Sequence, residues 1–334
     1  RSSVQRGGGL VGRGCLSPAA IRSFCMCPAR PRMPAGQDTF LSHVKGPVME
    51  LTDLATIRAL CEKYDFALSK GFGQNFIVNP GVPPKIVDAA GIDRRFGVLE
   101  IGPGIGVLTR EIARRAGKVV AIEVDKRLPP VLAETLAGFD NVKVILQDVL
   151  KADLPALMQQ EFAGMPVAVC ANLPYYITSP IIMKLLEDRL PVQNITVMVQ
   201  KEAAERLAAL PGTRASGAVS CAVRYFAQPK MMFTVQAGSF YPAPKVTSAV
   251  VRLDIRPTPA VAVPDEKAYF ALVRAAFGQR RKTAANAIAA GLGLPRQQVA
   301  DALAAAGLDP RVRPEQLTLE HFAALDAALR AAGA

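Results

Sequence analysis

Glycines that follow an apolar run are the first residues of this sequence whose types and spacing could do chemistry. The run Gly97–Ile101 leads directly into Gly102, Gly104 and Gly106. Glycine lets the backbone turn sharply and approach a ligand without a Cβ in the way. A dinucleotide-binding loop would need another glycine at the position of Val107. The spacing therefore predicts a cofactor loop that holds no pyrophosphate, with Gly102 and Gly104 as contacts.

Carboxylates end the next two apolar runs. Glu123 ends VVAIE, and Asp148 ends VILQD. A carboxylate at the first position can accept both hydrogen bonds of a ribose, and one at the second can accept from an adenine amino group. NAD enzymes bind ribose in the same way, so Glu123 alone does not distinguish the cofactors. Because open α/β sheets bind ligands at the carboxyl ends of their strands, we expect both residues to contact one cofactor.

A fourth strand end carries Asn172-Leu173-Pro174-Tyr175. An exocyclic adenine amine is a poor nucleophile, because its lone pair is delocalised into the ring. The Asn172 side-chain oxygen and the Leu173 carbonyl can accept its two N–H groups, while Pro174 stiffens the turn. Tyr175 offers a face on which a base can stack, worth ~1–3 kcal/mol. The target nucleotide would have to leave its stack to reach these residues.

Strands that alternate with helices must position these residues. Four apolar runs recur at intervals of roughly 25 residues, with helix-like segments between them. This alternation predicts βαβ units and a mainly parallel sheet of about seven strands. The prolines of residues 256–265 predict a linker, and only helical patterns follow it. We therefore expect an α/β domain over residues 49–256 and a small all-α domain over residues 257–334.

The first 48 residues differ from the rest of the chain. They are rich in Gly, Arg and Pro and show no periodicity, so we expect a disordered extension. Seven Lys or Arg and one Asp give this segment a net charge of +6. We interpret it as an over-extended translation start, with Met49 as the true beginning. A transit peptide is the alternative, although the Gly and Pro residues oppose the amphipathic helix that such peptides form.

The charge and the residue composition limit the partners and cofactors that this protein is expected to have. The net charge of +12 is compatible with a nucleic-acid partner, because Lys and Arg neutralise phosphates. Six scattered cysteines favour reduced thiols in a cytoplasmic protein, and with only two histidines we expect no metal site. No apolar run reaches the ~18–20 residues that a membrane span needs, so we expect no membrane partner.

Several stretches together resemble the bacterial small-subunit ribosomal RNA adenine dimethyltransferases, the kasugamycin-sensitivity methyltransferases. The resemblance runs from about Lys63 to Leu329. The matching stretches are GQNFIVN (73–79), LEIGPGIGVLT (99–109), IEVDKRL (122–128), NLPYYITSPII (172–182), FYPAPKVTSAVVRL (240–253) and AFGQRRKTAANAI (276–288). The resemblance implies a Rossmann-like class I S-adenosylmethionine-dependent methyltransferase domain followed by a helical RNA-binding domain.

The activity that the resemblance implies is N6,N6-dimethylation of two adjacent adenosines in a hairpin near the 3′ end of 16S rRNA. The methyl donor would be S-adenosylmethionine, and S-adenosylhomocysteine would leave. The partner would be the 30S precursor, and we expect a cytoplasmic monomer.

The resemblance also assigns roles to particular residues. It implies cofactor contacts at Asn75, Ile77, Gly102, Glu123, Asp148 and Asn172. Phe240 would form a second aromatic wall opposite Tyr175. Independently of the resemblance, the densest basic cluster of the folded part, Arg280, Arg281 and Lys282, is predicted to contact RNA phosphates, and Lys245 is a second candidate. Ser216-Gly217-Ala218-Val219-Ser220 departs from the family's usual Tyr-Gly-x-Leu-Ser, which weakens the assignment of RNA contacts around it.

Three alternatives remain open. A large-subunit (23S) adenine methyltransferase of the macrolide-resistance type shares most of the stretches, but Phe277–Thr283 is more similar to the small-subunit group. An adenine methyltransferase of an organelle is supported only by the basic N-terminal segment. A non-catalytic ribosome-assembly factor would bind the subunit without methylating it, and the intact Asn172–Tyr175 motif argues against this.

Overall fold

The computed structural model of this protein describes residues 49–66, 75–279 and 281–333. The predicted disorder of residues 1–48 and the predicted RNA contact Arg280 lie outside the described residues. Within them the helices are α1 Leu54–Lys63, α2 Val82–Ala90, α3 Val107–Arg115, α4 Leu128–Thr135, α5 Leu154–Phe162, α6 Thr178–Glu187, α7 Lys201–Ala208, α8 Ala218–Phe226, α9 Glu266–Phe277, α10 Ala284–Leu292, α11 Arg296–Ala305 and α12 Leu319–Ala331. The strands are β1 Phe76–Ile77, β2 Gly97–Ile101, β3 Lys118–Glu123, β4 Val142–Leu146, β5 Val167–Asn172, β6 Asn194–Gln200, β7 Ala227–Val235, β8 Phe240–Tyr241 and β9 Ser248–Ile255.

Seven of the described strands form one sheet in the order β4-β3-β2-β5-β6-β9-β7. The first five are parallel, and β9 runs antiparallel to both β6 and β7. The order reverses between β2 and β5, so the ends of these two strands border the crevice in which open α/β sheets bind ligands. The predicted fold class, a mainly parallel α/β sheet with C-terminal helices, is confirmed.

The central strands are buried along their whole length. Every residue of β2 is buried, as is nearly every residue of β3, β5 and β6. Helices α2 and α3 cover one face, where Ile86 and Ile112 are fully buried. Helices α5, α6 and α8 cover the other. Parallel strands that are covered on both faces are apolar along their whole length. The unbroken apolar runs in the sequence therefore predicted these strands.

A two-stranded antiparallel pair, β1 with β8, lies outside this sheet. Phe76 pairs with Tyr241, and Ile77 pairs with Phe240. These strands were not predicted from the sequence, because two residues are too few to show an alternating pattern. The pair joins Phe76–Ile77 to Phe240–Tyr241, two segments that are far apart in the chain.

The C-terminal helices share a core with the sheet domain. Rings of Tyr225 and Phe226 from α8 pack on Tyr269 and Phe270 from α9, with centroids 4.8–5.4 Å apart within the group. The same core continues to α12 through Phe322. Only helices follow residue 265 in the described chain, and the predicted domain division at residue 256 stays a prediction. No helix in the described ranges is long and apolar enough to span a membrane.

Candidate active site

The predicted site residues converge at the carboxyl ends of β2, β3 and β5 and the segment after β4. They line a cavity with about 1000 Å³ of empty space, which includes open solvent at its mouth. We call it the carboxyl-edge cavity. Ten residues predicted from the sequence line it: Asn75, Ile77, Gly102, Gly104, Glu123, Asp148, Asn172, Leu173, Pro174 and Tyr175. Segments that are nearly a hundred residues apart in the chain therefore form one site.

The glycine loop has the backbone conformation for which glycine is needed. Gly102, Gly104 and Gly106 have φ angles of +69°, +61° and +90°, in the left-handed region that side chains disfavour. A Cβ at Gly104 would also lie 3.1 Å from Cε1 of Phe76. Gly106 is the N-cap residue of α3, and its N–H donates to the carbonyl of Pro103 at 2.9 Å. Side chains in this loop would strain the backbone, and one at Gly104 would also crowd Phe76, which lines the cavity.

Glu123 connects the end of β3 to the glycine loop. Its carboxylate accepts hydrogen bonds from the backbone N–H groups of Val124 and Asp125, each at 2.8 Å, and of Gly104 at 3.3 Å. Burial raises the pKa of Glu123, and these backbone hydrogen bonds oppose the rise. A buried carboxylate held in this way has a fixed orientation towards the cavity, as an acceptor for ligand hydroxyls must have.

Asp148 lies just beyond β4 and is half-buried. Its Oδ1 accepts from the backbone N–H of Leu150 at 3.0 Å. The two carboxylates thus differ in setting, because Glu123 is only 5% exposed whereas Asp148 is partly open to solvent.

Asn172 is the last residue of β5. Its Nδ2 donates to the backbone carbonyl of Asn75 at 3.4 Å, which uses the amide nitrogen and leaves Oδ1 as an acceptor. The next backbone N–H, that of Leu173, donates to the carbonyl of Met198 on β6 at 3.0 Å. Neighbouring backbone therefore fixes both residues of the pair.

Tyr175 begins a short 3₁₀ helix after Pro174. Its hydroxyl is hydrogen-bonded to Oγ of Ser248 at 2.5 Å, which fixes the direction of the ring. Burial raises the pKa of Tyr175, and the bond to Ser248 opposes that rise. The next residue, Tyr176, also lines the cavity and is 58% exposed, so it offers a second ring at the cavity mouth.

Several lining residues had no role predicted from the sequence, and two of them are polar and adjacent to predicted residues. Glu100 is a buried acid two residues before the first glycine of the loop, and Tyr176 follows the predicted stacking residue directly. A single acid inside an otherwise apolar strand was the available signal for Glu100. Nothing in the local pattern shows that Tyr176 is exposed.

The remaining predicted residues do not line the cavity. Phe240 is in β8, is only 3% exposed and packs in the core beside Val235 and Val250. Its role as a second aromatic wall stays a prediction. Lys245, Arg281 and Lys282 are exposed on the surface, as phosphate contacts must be. Among the described residues no group of His, Cys, Asp or Glu is arranged to hold a metal ion.

This sheet order, with a left-handed glycine loop after its first parallel strand and acids at the following strand ends, defines a class I methyltransferase. Comparison with known families identifies one family within this class. The family described as "Ribosomal RNA adenine dimethylase" matches residues 66–325. The chain belongs to this family of S-adenosylmethionine-dependent methyltransferases.

Two curated relatives show how far the likeness extends. The chain is 50% identical over 284 residues to "Ribosomal RNA small subunit methyltransferase A" of Geobacillus thermodenitrificans (strain NG80-2), which covers 83% of this chain and 97% of the relative. A protein of the same name from Alkaliphilus oremlandii (strain OhILAs) is 48% identical over 269 residues, or 80% of this chain and 94% of the relative.

Two solved structures share the fold. A dimethyladenosine transferase from Plasmodium falciparum has a TM-score of 0.62 and 26% identity, over 77% of this chain and 98% of that one. The 23S rRNA methyltransferase ErmE has a TM-score of 0.56 and 28% identity, over 77% of this chain and the whole of that one. The chain therefore shares its fold with a protein named as a dimethyladenosine transferase and with one named for 23S rRNA.

Proposed function

We propose that this protein dimethylates the N6 amino groups of two adjacent adenosines near the 3′ end of 16S rRNA, within the 30S precursor. The observation that carries the proposal is that Asn172–Tyr175 shares one cavity with the glycine loop, Glu123 and Asp148. The relatives at 48–50% identity are named for the small subunit, whereas the structure named for 23S rRNA is 28% identical. Small-subunit RNA is therefore the favoured substrate, and we expect the protein to act as a monomer in the cytoplasm.

The cavity fits S-adenosylmethionine. A Cβ at Gly104 would crowd Phe76 in the cavity wall, so the bare backbone is needed there, and Glu123 presents a fixed, buried acceptor beside it. Glu123 would accept from the ribose hydroxyls, and Asp148 from the adenine amino group. Asn75, Ile77 and Gly102 line the same cavity and would complete the cofactor wall. When bound, this cofactor supplies a methyl group on a positively charged sulfur.

The end of β5 would orient the target amine. The Asn172 Oδ1 and the Leu173 carbonyl would accept its two N–H groups, which favours a nitrogen whose lone pair points at the methyl group. Tyr175 would stack on the flipped base, with its ring direction fixed through Ser248. No side chain needs to form a covalent bond, because orientation and polarisation of the amine provide the rate enhancement.

Exposed basic residues would contact the RNA backbone. Lys245, Arg281 and Lys282 are exposed, and Arg280 is their neighbour in the sequence. Such phosphate contacts set the position of the RNA and carry little sequence information. They also make binding weaken as salt concentration rises.

Transfer of labelled methyl groups to under-methylated small subunits tests the proposal, with large-subunit RNA as the parallel substrate. We expect label in N6,N6-dimethyladenosine of small-subunit RNA alone. Label in large-subunit RNA would keep the chemistry and overturn the substrate. Cofactor binding without label in either RNA would favour a non-catalytic assembly factor.

A further inference from the structure

Glu100 lies in the wall of the carboxyl-edge cavity but has none of the partners that stabilise the other acids there. It is the fourth residue of β2 and is only 1% exposed. In the described part of the chain its Oε2 has no hydrogen-bond partner. A buried carboxylate oxygen without a hydrogen-bond partner is costly, and the carboxyl group lowers that cost by keeping its proton. Glu123, in contrast, accepts from three backbone N–H groups.

The groups that face Glu100 do not supply a positive charge. The Thr109 hydroxyl on α3 faces Glu100 and lowers its pKa by favouring the ionised form, although the two side chains do not meet in hydrogen-bond geometry. Glu123 at the end of β3 opposes ionisation by its charge. Cys170 on β5 is a buried thiol whose pKa is raised well above its ordinary value, so it stays neutral. Burial is the largest influence on Glu100 and raises its pKa to about 8.

We propose that Glu100 is a neutral acid in the cofactor-free protein and ionises when the cofactor binds, so that it favours the positively charged cofactor over its product. The inference rests on the proposed function for the identity of the cofactor. S-adenosylmethionine carries a sulfonium, an ammonium and a carboxylate, a net charge of +1. S-adenosylhomocysteine has a neutral sulfur and a net charge of zero.

The proton balance follows from these charges. A positive charge entering a poorly solvated cavity favours the ionised form of a nearby acid, so Glu100 releases its proton to solvent. After methyl transfer the sulfur is neutral, and the carboxylate takes a proton back from solvent. Glu100 would then bind the product less tightly than the cofactor, which favours product release. Glu100 acts here on the ligand charge and takes no part in bond making.

Calorimetry of the full chain tests the proposal without any RNA. Each ligand is titrated at pH 7 in two buffers of different ionisation enthalpy, which gives the number of protons released on binding. We expect more proton release with S-adenosylmethionine than with S-adenosylhomocysteine. We also expect the affinity for S-adenosylmethionine to rise between pH 6 and pH 8, by up to roughly tenfold per pH unit. The rise for S-adenosylhomocysteine should be smaller.

Glu100→Gln keeps the shape of the neutral acid and removes its proton. This variant should lose the difference in proton release between the two ligands. Subtracting the proton release measured with S-adenosylhomocysteine from that measured with S-adenosylmethionine also removes the protons that the ligand ammonium and Glu123 exchange in both titrations. Glu161→Gln is the matched control, because Glu161 is a buried acid that pairs with Lys118 and Lys143 and does not line the cavity. It should release as many protons as the unchanged protein.

Two results would overturn the proposal. One is equal proton release for both ligands in the unchanged protein, a measurement that needs no variant to fold. The other is a difference between the ligands that survives in Glu100→Gln. If S-adenosylmethionine does not bind at all, the proposed function fails together with this inference. Binding without the proton difference contradicts the inference alone.

Discussion

Two regions of the molecule differ in whether their buried polar groups have hydrogen-bond partners. They are the carboxyl-edge cavity and the aromatic cluster of Tyr225, Phe226, Tyr269 and Phe270. In the cluster, the Tyr225 hydroxyl donates to Glu266 at 2.8 Å and the Tyr269 hydroxyl donates to the carbonyl of Leu319 at 3.3 Å. In the cavity, an oxygen of Glu100 has no partner among the described residues. The cavity loop also holds its glycines in left-handed conformations.

This difference indicates that the aromatic cluster stabilises the fold and that the cavity is suited to ligand binding. Buried polar groups that find protein partners stabilise a single packed state. Groups held in place without partners can bind a ligand instead, at a cost in folding free energy. Substitutions in the cluster should therefore lower stability and leave the chemistry intact, whereas substitutions in the cavity should mainly change ligand binding and methyl transfer.

Phe270→Ala should have the largest effect and should test the cluster. Phe270 is 3% exposed and contacts three other rings of the cluster. Its truncation should lower the free energy of unfolding by about 3–5 kcal/mol, as in other buried Phe→Ala changes. Methyl transfer per folded molecule should stay unchanged. Denaturant unfolding measures the loss, and Leu210→Ala, at a side chain 58% exposed, is the control. Equal losses in the two variants would contradict the assignment.

Asn172→Ala, in the cavity, should lower methyl transfer and leave stability almost unchanged. It removes the proposed acceptor for the adenine amine, so methyl transfer in a single turnover should fall by roughly 10²–10³, as when one polar group of a transition-state site is lost. Binding to the small subunit should survive, and the melting temperature should change little. Transfer at the unchanged rate would show that Asn172 has another role.

The stability of the cofactor-free protein should depend on pH through Glu100. Its ordinary pKa is 4.5, and burial raises it to about 8 in the folded protein. The unfolded chain therefore loses this proton first as pH rises. The contribution is complete below pH 4.5 and is lost as pH rises through 8, by at most about 1.4 kcal/mol per pH unit. Glu100→Gln should be free of this loss, so its stability relative to the unchanged protein should increase from pH 6 to pH 8. If the free energies of unfolding of Glu100→Gln and the unchanged protein change with pH in the same way, the raised pKa of Glu100 is contradicted.

Gly104→Ala should have a smaller effect than each of the other three substitutions has on the quantity that tests it. Gly104 has φ +61°, and a Cβ there would lie 3.1 Å from Phe76. The left-handed conformation should cost about 1–2 kcal/mol for alanine, and cofactor affinity should also fall because the loop must shift. Gly138→Ala is the matched control, because a Cβ at Gly138 meets no atom within 4 Å. Unfolding curves and calorimetry measure both effects, and equal results for the two variants would count against a special loop conformation.

Much of the site could be predicted from the sequence because its signals are local. Gly102 and Gly104, Glu123 and Asn172 each follow an apolar run, and the carboxyl ends of parallel strands meet at one edge of a sheet. Continuous apolar runs also identified the buried parallel strands. A resemblance to one family linked these separate signals to an adenine substrate.

Only the tertiary structure decided which distant groups meet. It paired β1 with β8, aligned Asn172 with the backbone of Asn75, and buried Phe240 outside the cavity lining. It also left Glu100 without a hydrogen-bond partner for Oε2 among the described residues. Sequence patterns report the period and the ends of single elements. The partners, burial and hence the protonation of a side chain depend on the packing of elements that are distant in sequence, and no local pattern contains that information.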